Sequence, residues 1–325
     1  MPLNPTDRLR HLLRRNRYYV TMRRIQREGP LTALRRRMLW ARILDTPPIR
    51  MEPTNGNAAA EVHLLCSKRD YLCAIWALKS FYCLSGITCP LAIHLQGQAP
   101  DGMVARMRRH FPDARIVLQA EADALVEPEL ARAGFDRLLA LRRRTPFMLK
   151  LTDFVLMCRA PRLLLLDSDV LFFAHARDLV EQARASSTAV LFQRDVANMY
   201  NISPERAFER FGFRLAPCVN SGIALFPRAA VNLARCEDYL SDDEVARPNT
   251  MVEQTLYALA FSERSEIAYL PDSYLVSLQP CTDMGRLVAR HYAGASRSLF
   301  TREGLPALIE AGFFSKLNPP EKCRR

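Results

Sequence analysis

Four consecutive leucines at positions 163–166 run directly into Asp167-Ser168-Asp169. A short, uninterrupted apolar run of this kind is typical of a central strand whose two faces are both covered by helices. Side chains of an extended chain alternate in direction, so two carboxylates spaced two residues apart point to the same side. The segment therefore predicts a buried strand that ends in a pair of acids at the ligand-binding edge of an α/β sheet.

From residue 61 onward, the chain alternates between strand-like and helix-like segments. This alternation predicts the α/β class, with a Rossmann-like, mostly parallel central sheet and helices on both of its faces. Strands are predicted at residues 62–67, 90–95, 114–118, 162–167, 189–193, 219–226 and 267–270. Helices are predicted at residues 71–84, 101–111, 146–158 and 252–261.

The first 50 residues carry most of the positive charge. They contain thirteen arginines, three acids and no lysine, and so account for +10 of the net charge of +12. We divide the chain into a basic helical arm with a Pro-rich linker, residues 1–60, and one α/β domain, residues 61–325. The arm is predicted as two helices broken near Gly29-Pro30, which are either solvated or in peripheral contact with anionic lipid. The remaining residues are nearly neutral, which argues against a nucleic-acid partner.

The nine cysteines are odd in number and show no Cys-x-x-Cys spacing. Several, such as Cys66, Cys158 and Cys218, lie in apolar runs, which predicts reduced, buried thiols rather than disulfides or a zinc site. The sequence shows no uncharged apolar stretch of about 18 residues and no signal-peptide core. We expect a cytoplasmic protein, with peripheral contact to the inner face of the membrane if residues 1–45 bind lipid.

The carboxylates of Asp167 and Asp169 form a candidate site for a divalent cation. Hard cations prefer oxygen ligands, and in phosphate chemistry one or two carboxylates commonly share the ion with phosphate oxygens. Two solvated loop acids or helix caps are the alternative, because Asp-x-Asp is common by chance. The buried strand favours the metal interpretation, since it directs the acids into a cleft.

Residues 163–173 resemble the metal-binding segment of nucleotide-sugar glycosyltransferases of the GT-A fold. Three further segments resemble, in the same order, motifs of the family-eight glycosyltransferases, the glycogenin and lipopolysaccharide galactosyltransferase group. These segments are Val219-Asn220-Ser221-Gly222, Glu253-Gln254 and His291-Tyr292-Ala293-Gly294. The resemblance spans residues 61–300, and it departs from the family pattern at Glu253, where the family has aspartate.

The resemblance implies a metal site in which His291 is the third protein ligand beside Asp167 and Asp169. Mixed oxygen and nitrogen ligation suits Mn²⁺, with Mg²⁺ as the second choice. The implied reaction transfers a sugar from a nucleotide-diphosphate sugar, such as a UDP-sugar, to a glycan, lipid or protein hydroxyl with retention of configuration. An inverting enzyme would instead need a carboxylate base, for which Asp195 and Glu253 are candidates. Considered alone, His291 could be an ordinary core or surface histidine.

By the same resemblance, Asn220, Ser221 and Gly222 contact the sugar, and Glu253 and Gln254 lie beside the reacting carbon. An amide and a hydroxyl suit sugar hydroxyls, and glycine permits a close approach of the backbone. The alternatives are a strand-edge turn for the first three residues and an exposed first helical turn, where acids are favoured, for the other two.

The diphosphate and the rest of the donor are assigned to further polar residues. Lys150 resembles the family's basic residue that contacts the diphosphate or the sugar, and a surface pair with Asp153 is its alternative. Asp167 and Ser168 are predicted to contact the nucleotide. Arg297 lies where the family has a diphosphate-contacting lysine, although the following Pro-Trp is missing.

Four positions complete the predicted donor and acceptor contacts. Ser67 and Tyr71 are positioned like a uridine-binding loop, and Tyr71 either stacks on a base or packs on the core. Gly294 belongs to the late histidine motif. Asp195 follows a predicted strand, and it is a candidate acceptor contact or a helix cap.

Two rival interpretations remain open. A haloacid-dehalogenase-type phosphatase also has a strand that ends in Asp-x-Asp, with Asp167 as nucleophile and Asp169 as acid/base. It needs a downstream basic residue on the phosphate, yet no lysine follows until Lys316, and the acid pair Asp242-Asp243 lacks a preceding glycine. The non-enzyme alternative is an inactive transferase-like protein that binds surfaces through its basic arm.

Overall fold

The computed structural model describes residues 30–51, 58–184, 187–264 and 267–318. Its strands are β1 (Ala60–Ser67), β2 (Leu91–Gln96), β3 (Arg115–Leu118), β4 (Arg162–Leu166), β5 (Val170–Phe172), β6 (Val190–Arg194), β7 (Val219–Pro227), β8 (Ile267–Tyr269), β9 (Tyr274–Val276) and β10 (Ala289–His291). Its helices are α1 (Pro30–Leu44), α2 (Tyr71–Leu84), α3 (Asp101–His110), α4 (Gln119–Arg132), α5 (Asp136–Arg144), α6 (Met148–Met157), α7 (Arg177–Arg184), α8 (Pro204–Phe211), α9 (Leu233–Tyr239), α10 (Val252–Ser262), α11 (Arg297–Leu299), α12 (Leu305–Glu310) and α13 (Phe313–Leu317).

These strands form two sheets. The larger has seven strands in the order β3-β2-β1-β4-β7-β6-β8, and the smaller has the order β5-β10-β9. Neighbours in the larger sheet are parallel, except that β7 is antiparallel to both β4 and β6. The predicted α/β class with a mostly parallel central sheet is therefore confirmed.

The leucine run forms β4, the middle strand of the larger sheet, and every residue of β4 is buried. Leu164 and Leu166 join a core that α2 and α3 cover on one face. Leu163 and Leu165 join a second core that α6 and α10 cover on the other face. Helices on both faces are thus confirmed, and apolarity on both sides is what a doubly covered strand requires. The leucine run does not predict that β7, the neighbour of β4 on one side, is antiparallel to it.

Helix α1 is the one helix of the predicted basic arm that lies within the described residues. Leu39 and Ile43 are buried in the same core as β1, and the Cζ atom of Arg42 lies 3.8 Å from the ring centroid of Phe314. The first predicted basic helix and residues 52–57 of the linker lie outside the described residues, and the boundary at residue 60 stays a prediction. Within the described ranges, no helix combines the length and apolarity needed to cross a bilayer.

The thiols of Cys66, Cys158 and Cys236 are free and buried, whereas the free Cys218 is only partly buried. Burial raises the pKa of the Cys158 thiol to about 12, because a thiolate would lose its hydration there. These buried thiols are therefore protonated and unreactive at neutral pH.

A buried polar network joins β1, β2 and β3. Glu61 Oε1 accepts a hydrogen bond from Arg115 Nη2 at 2.9 Å, and Oε2 accepts from the backbone N–H of Arg159 at 2.6 Å. His63 lies with Nε2 3.1 Å from Glu61 Oε2 and with Nδ1 3.0 Å from His94 Nε2. Burial favours the neutral carboxyl, but the surrounding donors outweigh it and lower the pKa of Glu61 to about 2. Glu61 is therefore ionised at neutral pH.

Replacing this carboxylate should weaken the fold. We expect Glu61→Gln to lower the free energy of unfolding by about 2 to 3 kcal/mol, because it leaves the half-buried guanidinium of Arg115 without its charged partner. The folded-state pKa lies below the ordinary value of 4.5, so this stability is present above that value and is lost as pH falls towards about 2. Urea unfolding at neutral and acid pH measures both effects.

Glu129→Gln is the matched control, since Glu129 forms an exposed ion pair with Arg132. Such pairs contribute little to stability. Equal free energies of unfolding for Glu61→Gln and Glu129→Gln at neutral pH would contradict the account of the network.

Candidate active site

A cavity of about 500 Å³ opens at the edge of the larger sheet where β1 and β4 end. Because β7 is antiparallel to β4, its first residues reach the same edge. Of the fifteen predicted site residues, all but Tyr71 and Gly222 line this cavity. The thirteen that line it are Ser67, Lys150, Asp167, Ser168, Asp169, Asp195, Asn220, Ser221, Glu253, Gln254, His291, Gly294 and Arg297.

The acid pair lies in the turn between β4 and β5, and backbone hydrogen bonds hold it from two sides. The N–H of Asp167 donates to the carbonyl of Gly222 on β7 at 2.8 Å. The carbonyl of Asp169 accepts from the N–H of Tyr292, just after β10, at 3.0 Å. The larger and the smaller sheet together therefore fix the two carboxylates.

His291 faces this pair from β10, where it pairs with Val170 of β5. Its Nε2 atom lies 3.2 Å from Asp169 Oδ1 and 3.7 Å from Asp167 Oδ2. Each of the three side chains offers one ligand atom, and these atoms all lie within 4.8 Å of one another. This spacing allows three protein atoms to share one ion.

Asn220 sets the tautomer of His291. The amide Nδ2 of Asn220 donates to Asp195 at 2.7 Å, and its Oδ1 accepts from the N–H of Gly222 at 2.9 Å. These bonds identify Oδ1 as the atom that lies 2.9 Å from His291 Nδ1. The proton of a neutral imidazole therefore lies on Nδ1, and the lone pair of Nε2 is directed at the two aspartates.

A lone pair that faces two carboxylates is repelled unless a cation lies between them. Without an ion, burial opposes a charge on His291, but the hydrogen bond and the charge of Asp169 outweigh burial and raise the pKa of His291. A proton can therefore take the position between these groups. A divalent cation fits the same three donors, and the contact with Asn220 is the kind of support that metal-ligating histidines receive.

Gly222 lies behind the imidazole rather than on the cavity wall. A Cβ atom at this position would lie 2.2 Å from His291 Nδ1 and 2.4 Å from its Cε1. Both distances are far below van der Waals contact. The position therefore requires glycine because the ring of His291 occupies the space of a side chain.

Lys150 projects from α6 into the centre of the site and is almost fully buried. Its Nζ atom lies 2.9 Å from Asp167 Oδ1 and 3.5 Å from Glu253 Oε1, and it donates to Ser221 Oγ at 3.2 Å. Burial opposes the ammonium charge, but Asp167 and then Glu253 outweigh it and raise the pKa of Lys150. Its predicted alternative, a surface pair with Asp153, is wrong, because Asp153 is buried and bonded to Arg142 instead.

Glu253 and Gln254 lie in the first turn of α10, and both are buried, so an exposed helical turn is excluded. Glu253 Oε2 accepts from Ser221 Oγ at 3.0 Å, and Gln254 Oε1 accepts from the backbone N–H of Ser221 at 3.2 Å. Burial raises the pKa of Glu253 to about 7, even though Lys150 opposes the shift. The first turn of α10 thus packs against the Asn-Ser-Gly strand.

Arg297 approaches the acid pair from the carboxyl side of β10. Its Nη2 atom donates to Asp70 Oδ1 at 2.7 Å, and its Nε atom lies 3.9 Å from Asp169 Oδ2. Ser67 Oγ donates to the other oxygen of Asp70 at 2.7 Å. Asp70 was not predicted as a site residue, although it directly precedes the predicted helix at residues 71–84. In the structure its side chain caps nothing and positions Arg297 instead.

Two other predicted residues, Tyr71 and Asp195, are engaged in contacts within the protein. The hydroxyl of Tyr71 accepts a hydrogen bond from Arg106 Nη1 at 3.1 Å, away from the cavity lining, and base stacking by Tyr71 stays a prediction. Asp195 lines the cavity, but both of its oxygens are engaged: Oδ2 accepts from Asn220 and Oδ1 from the N–H of Val196.

Comparison of the backbone with solved structures finds similar glycosyltransferases. Mouse xyloside xylosyltransferase 1 in its apo form is 14% identical at a TM-score of 0.49, over 71% of this chain and 96% of that one. GlyE of Streptococcus pneumoniae is 14% identical at 0.44, over 81% of this chain and 63% of that one. The galactosyltransferase LgtC, solved with donor and acceptor sugar analogues, is 14% identical at 0.44, over 81% and 99%. No protein-family model and no curated protein matches the sequence.

Proposed function

We propose that this chain is a metal-dependent glycosyltransferase that moves a sugar from a UDP-sugar to an acceptor hydroxyl. The observation that supports this most directly is the convergence of Asp167, Asp169 and the Nε2 lone pair of His291 on one point of the cavity. A buried ammonium group, Lys150, lies beside that point. A cation site next to a fixed positive charge suits a diphosphate leaving group.

Mn²⁺ fits the donor set best, with Mg²⁺ second, because two carboxylates and an imidazole give mixed oxygen and nitrogen ligation. When bound, such an ion supplies positive charge that stabilises a departing diphosphate. Asp167, Asp169 and His291 would hold the ion, and Asn220 keeps the proton of His291 on Nδ1 so that Nε2 remains a ligand.

In the proposed reaction, the bond between the anomeric carbon and the phosphate oxygen breaks, and its electron pair leaves with UDP. The acceptor oxygen bonds to the carbon, and its proton passes to the departing diphosphate. Lys150 donates a hydrogen bond to the diphosphate as negative charge develops. Glu253 Oε1, which lies 3.5 Å from Lys150 Nζ at the cavity wall, also accepts from a sugar hydroxyl. Gln254 lies beside the reacting carbon.

We further propose retention of the anomeric configuration. An inverting reaction needs a free carboxylate base on the acceptor side. Asp195 already accepts from Asn220 and from the backbone, and Glu253 is committed to Ser221 and Lys150, which supports retention. The anomeric configuration of the product, measured by NMR, tests this, and an inverted product would contradict it.

Thermal unfolding with UDP tests the donor and the metal together. A saturating excess of UDP with Mn²⁺ should raise the melting temperature of the wild-type protein by roughly 5 °C, because a ligand that binds only the folded state stabilises it. UDP with EDTA should have no effect, and neither should UDP with Mn²⁺ on Asp169→Asn. The absence of any shift in the wild-type protein would show that the metal–nucleotide proposal is wrong.

A further inference from the structure

Exposed apolar side chains gather at the mouth of the cavity. Ten large apolar side chains are exposed among the described residues, and four of them line this cavity. They are Phe147, Val196, Met199 and Leu278, and we call them the apolar rim. Val196 and Leu278 are each about half exposed, at 52% and 51%. Such clustering beside the charged groups of Lys150, Asp167 and Asp169 indicates a ligand with an apolar group.

Three of the four rim residues lie on one side of the acid pair. Along the edge of the larger sheet the strands follow the order β1, β4, β7, β6. Val196 and Met199 follow β6, and Leu278 follows β9, which a hydrogen bond from Gln193 Nε2 to the carbonyl of Tyr274 ties to β6. The polar residues Ser67, which ends β1, and Asp70, which follows it, lie on the opposite side of the acid pair.

The rim is connected to the centre of the site. Gln254 accepts from the N–H of Ser221 through Oε1 and donates through Nε2 to the carbonyl of Met199 at 3.2 Å. One side chain therefore joins the sugar-contacting strand to the rim. An acceptor hydroxyl that reaches the reacting carbon beside Gln254 would carry its neighbouring atoms over Met199.

We propose that the acceptor is an amphipathic alcohol that carries an alkyl or aryl group next to the reacting hydroxyl. This inference rests on the proposed function. The rim would cover that group, while the charged side of the cavity takes the diphosphate and the sugar. Burial of an apolar group against Val196, Met199 and Leu278 gives affinity that a plain sugar cannot obtain. The specificity for the acceptor therefore lies in these three side chains.

Binding of paired glycosides tests the inference. For each of several hexoses, the methyl, n-hexyl and phenyl glycosides are titrated calorimetrically into the protein in the presence of Mn²⁺ and UDP. We expect the hexyl or the phenyl member to bind at least about tenfold more tightly than the methyl member, because each buried methylene adds affinity. The hexyl and phenyl arms distinguish an alkyl from an aryl group.

Substitutions in the apolar rim test whether it causes the tighter binding of the hexyl or phenyl glycoside. In Leu278→Ser and Val196→Ser, the hexyl or phenyl glycoside should bind no more than about twofold more tightly than the methyl glycoside, since the apolar contact is lost. Leu125→Ser is the control, because Leu125 is 60% exposed on α4, outside the cavity lining, and should leave the tighter binding unchanged. Unchanged affinity for UDP in each rim variant would show that the protein is still folded.

Equal binding of the methyl, hexyl and phenyl members, or no binding of any hexyl or phenyl glycoside at millimolar concentration, would overturn the inference. Tighter hexyl or phenyl binding that survives in both rim variants would overturn it as well. Failure of UDP to bind with Mn²⁺ in the wild-type protein is a different result, which counts against the proposed function. The two failures are therefore distinguishable.

Discussion

Asp169→Asn should reduce sugar transfer by roughly 10³-fold or more, because it removes a charge from the point where the ion would bind. The substitution preserves shape and keeps the backbone bond from Tyr292, so the turn between β4 and β5 should persist. The loss comes from the weakened cation site, because a neutral amide takes the place of the carboxylate that lies 3.2 Å from His291 Nε2. Initial rates at saturating Mn²⁺ and donor measure it.

Asp238→Asn is the control for this substitution. Asp238 is an exposed aspartate that pairs with Arg235 on α9, and it should leave the rate unchanged. Circular dichroism of both variants shows whether the fold is kept. Full activity of Asp169→Asn at every Mn²⁺ concentration would contradict the role that we assign to this residue.

Gly222→Ala should weaken Mn²⁺ binding by about 10- to 100-fold, an effect of the size seen when the support of a metal ligand is lost. The added methyl group would lie 2.2 Å from His291 Nδ1, so the imidazole must move away from Asn220 and from the acid pair. A backbone shift of β7 is the other response, and it would disturb the bond from Asp167 to the Gly222 carbonyl. Either response separates the three ligands.

Gly102→Ala is the matched control, because a Cβ at Gly102 in α3 would meet no atom of the described residues within 4 Å outside its own helix turn. Alanine is the better helix former, so Gly102→Ala should keep or slightly raise the melting temperature. Mn²⁺ titration of the three proteins, by calorimetry with UDP present, measures the affinities. Wild-type affinity in Gly222→Ala would show that His291 does not hold the ion.

Much of the fold could be predicted from local patterns. The run Leu163–Leu166 predicted a buried strand because both of its faces are apolar, and the structure places it in the middle of the sheet. The direction of β7 could not be predicted, since a buried antiparallel strand shows the same apolar run. The three short strands of the smaller sheet were missed as a unit, because three residues are too few to show a period.

The candidate site, like the fold, could be predicted only in part. Residues that follow the end of a strand, such as Asp167 and Asp169, could be placed at one edge from topology alone. Asn220 lies at the start of β7 instead, and it reaches the same edge only because β7 is antiparallel to β4. Contacts between distant segments could not be predicted, such as those of Asp70 with Arg297 and of Gly222 with the ring of His291. Residues so far apart in the chain show no characteristic spacing in the sequence. The apolar rim was missed for a similar reason, because single exposed apolar residues are ordinary until the fold gathers them.

We propose that the Asp167–Asp169–His291 site activates a nucleotide-sugar donor. The most direct test of this proposal is the release of nucleotide diphosphate from a panel of nucleotide sugars, with Mn²⁺ or EDTA, by the wild-type protein and Asp169→Asn. The account predicts release from at least one UDP-sugar by the wild-type protein with Mn²⁺, and none with EDTA or in the variant. Hydrolysis of a generic phosphomonoester without turnover of any nucleotide sugar would contradict it and support a phosphatase.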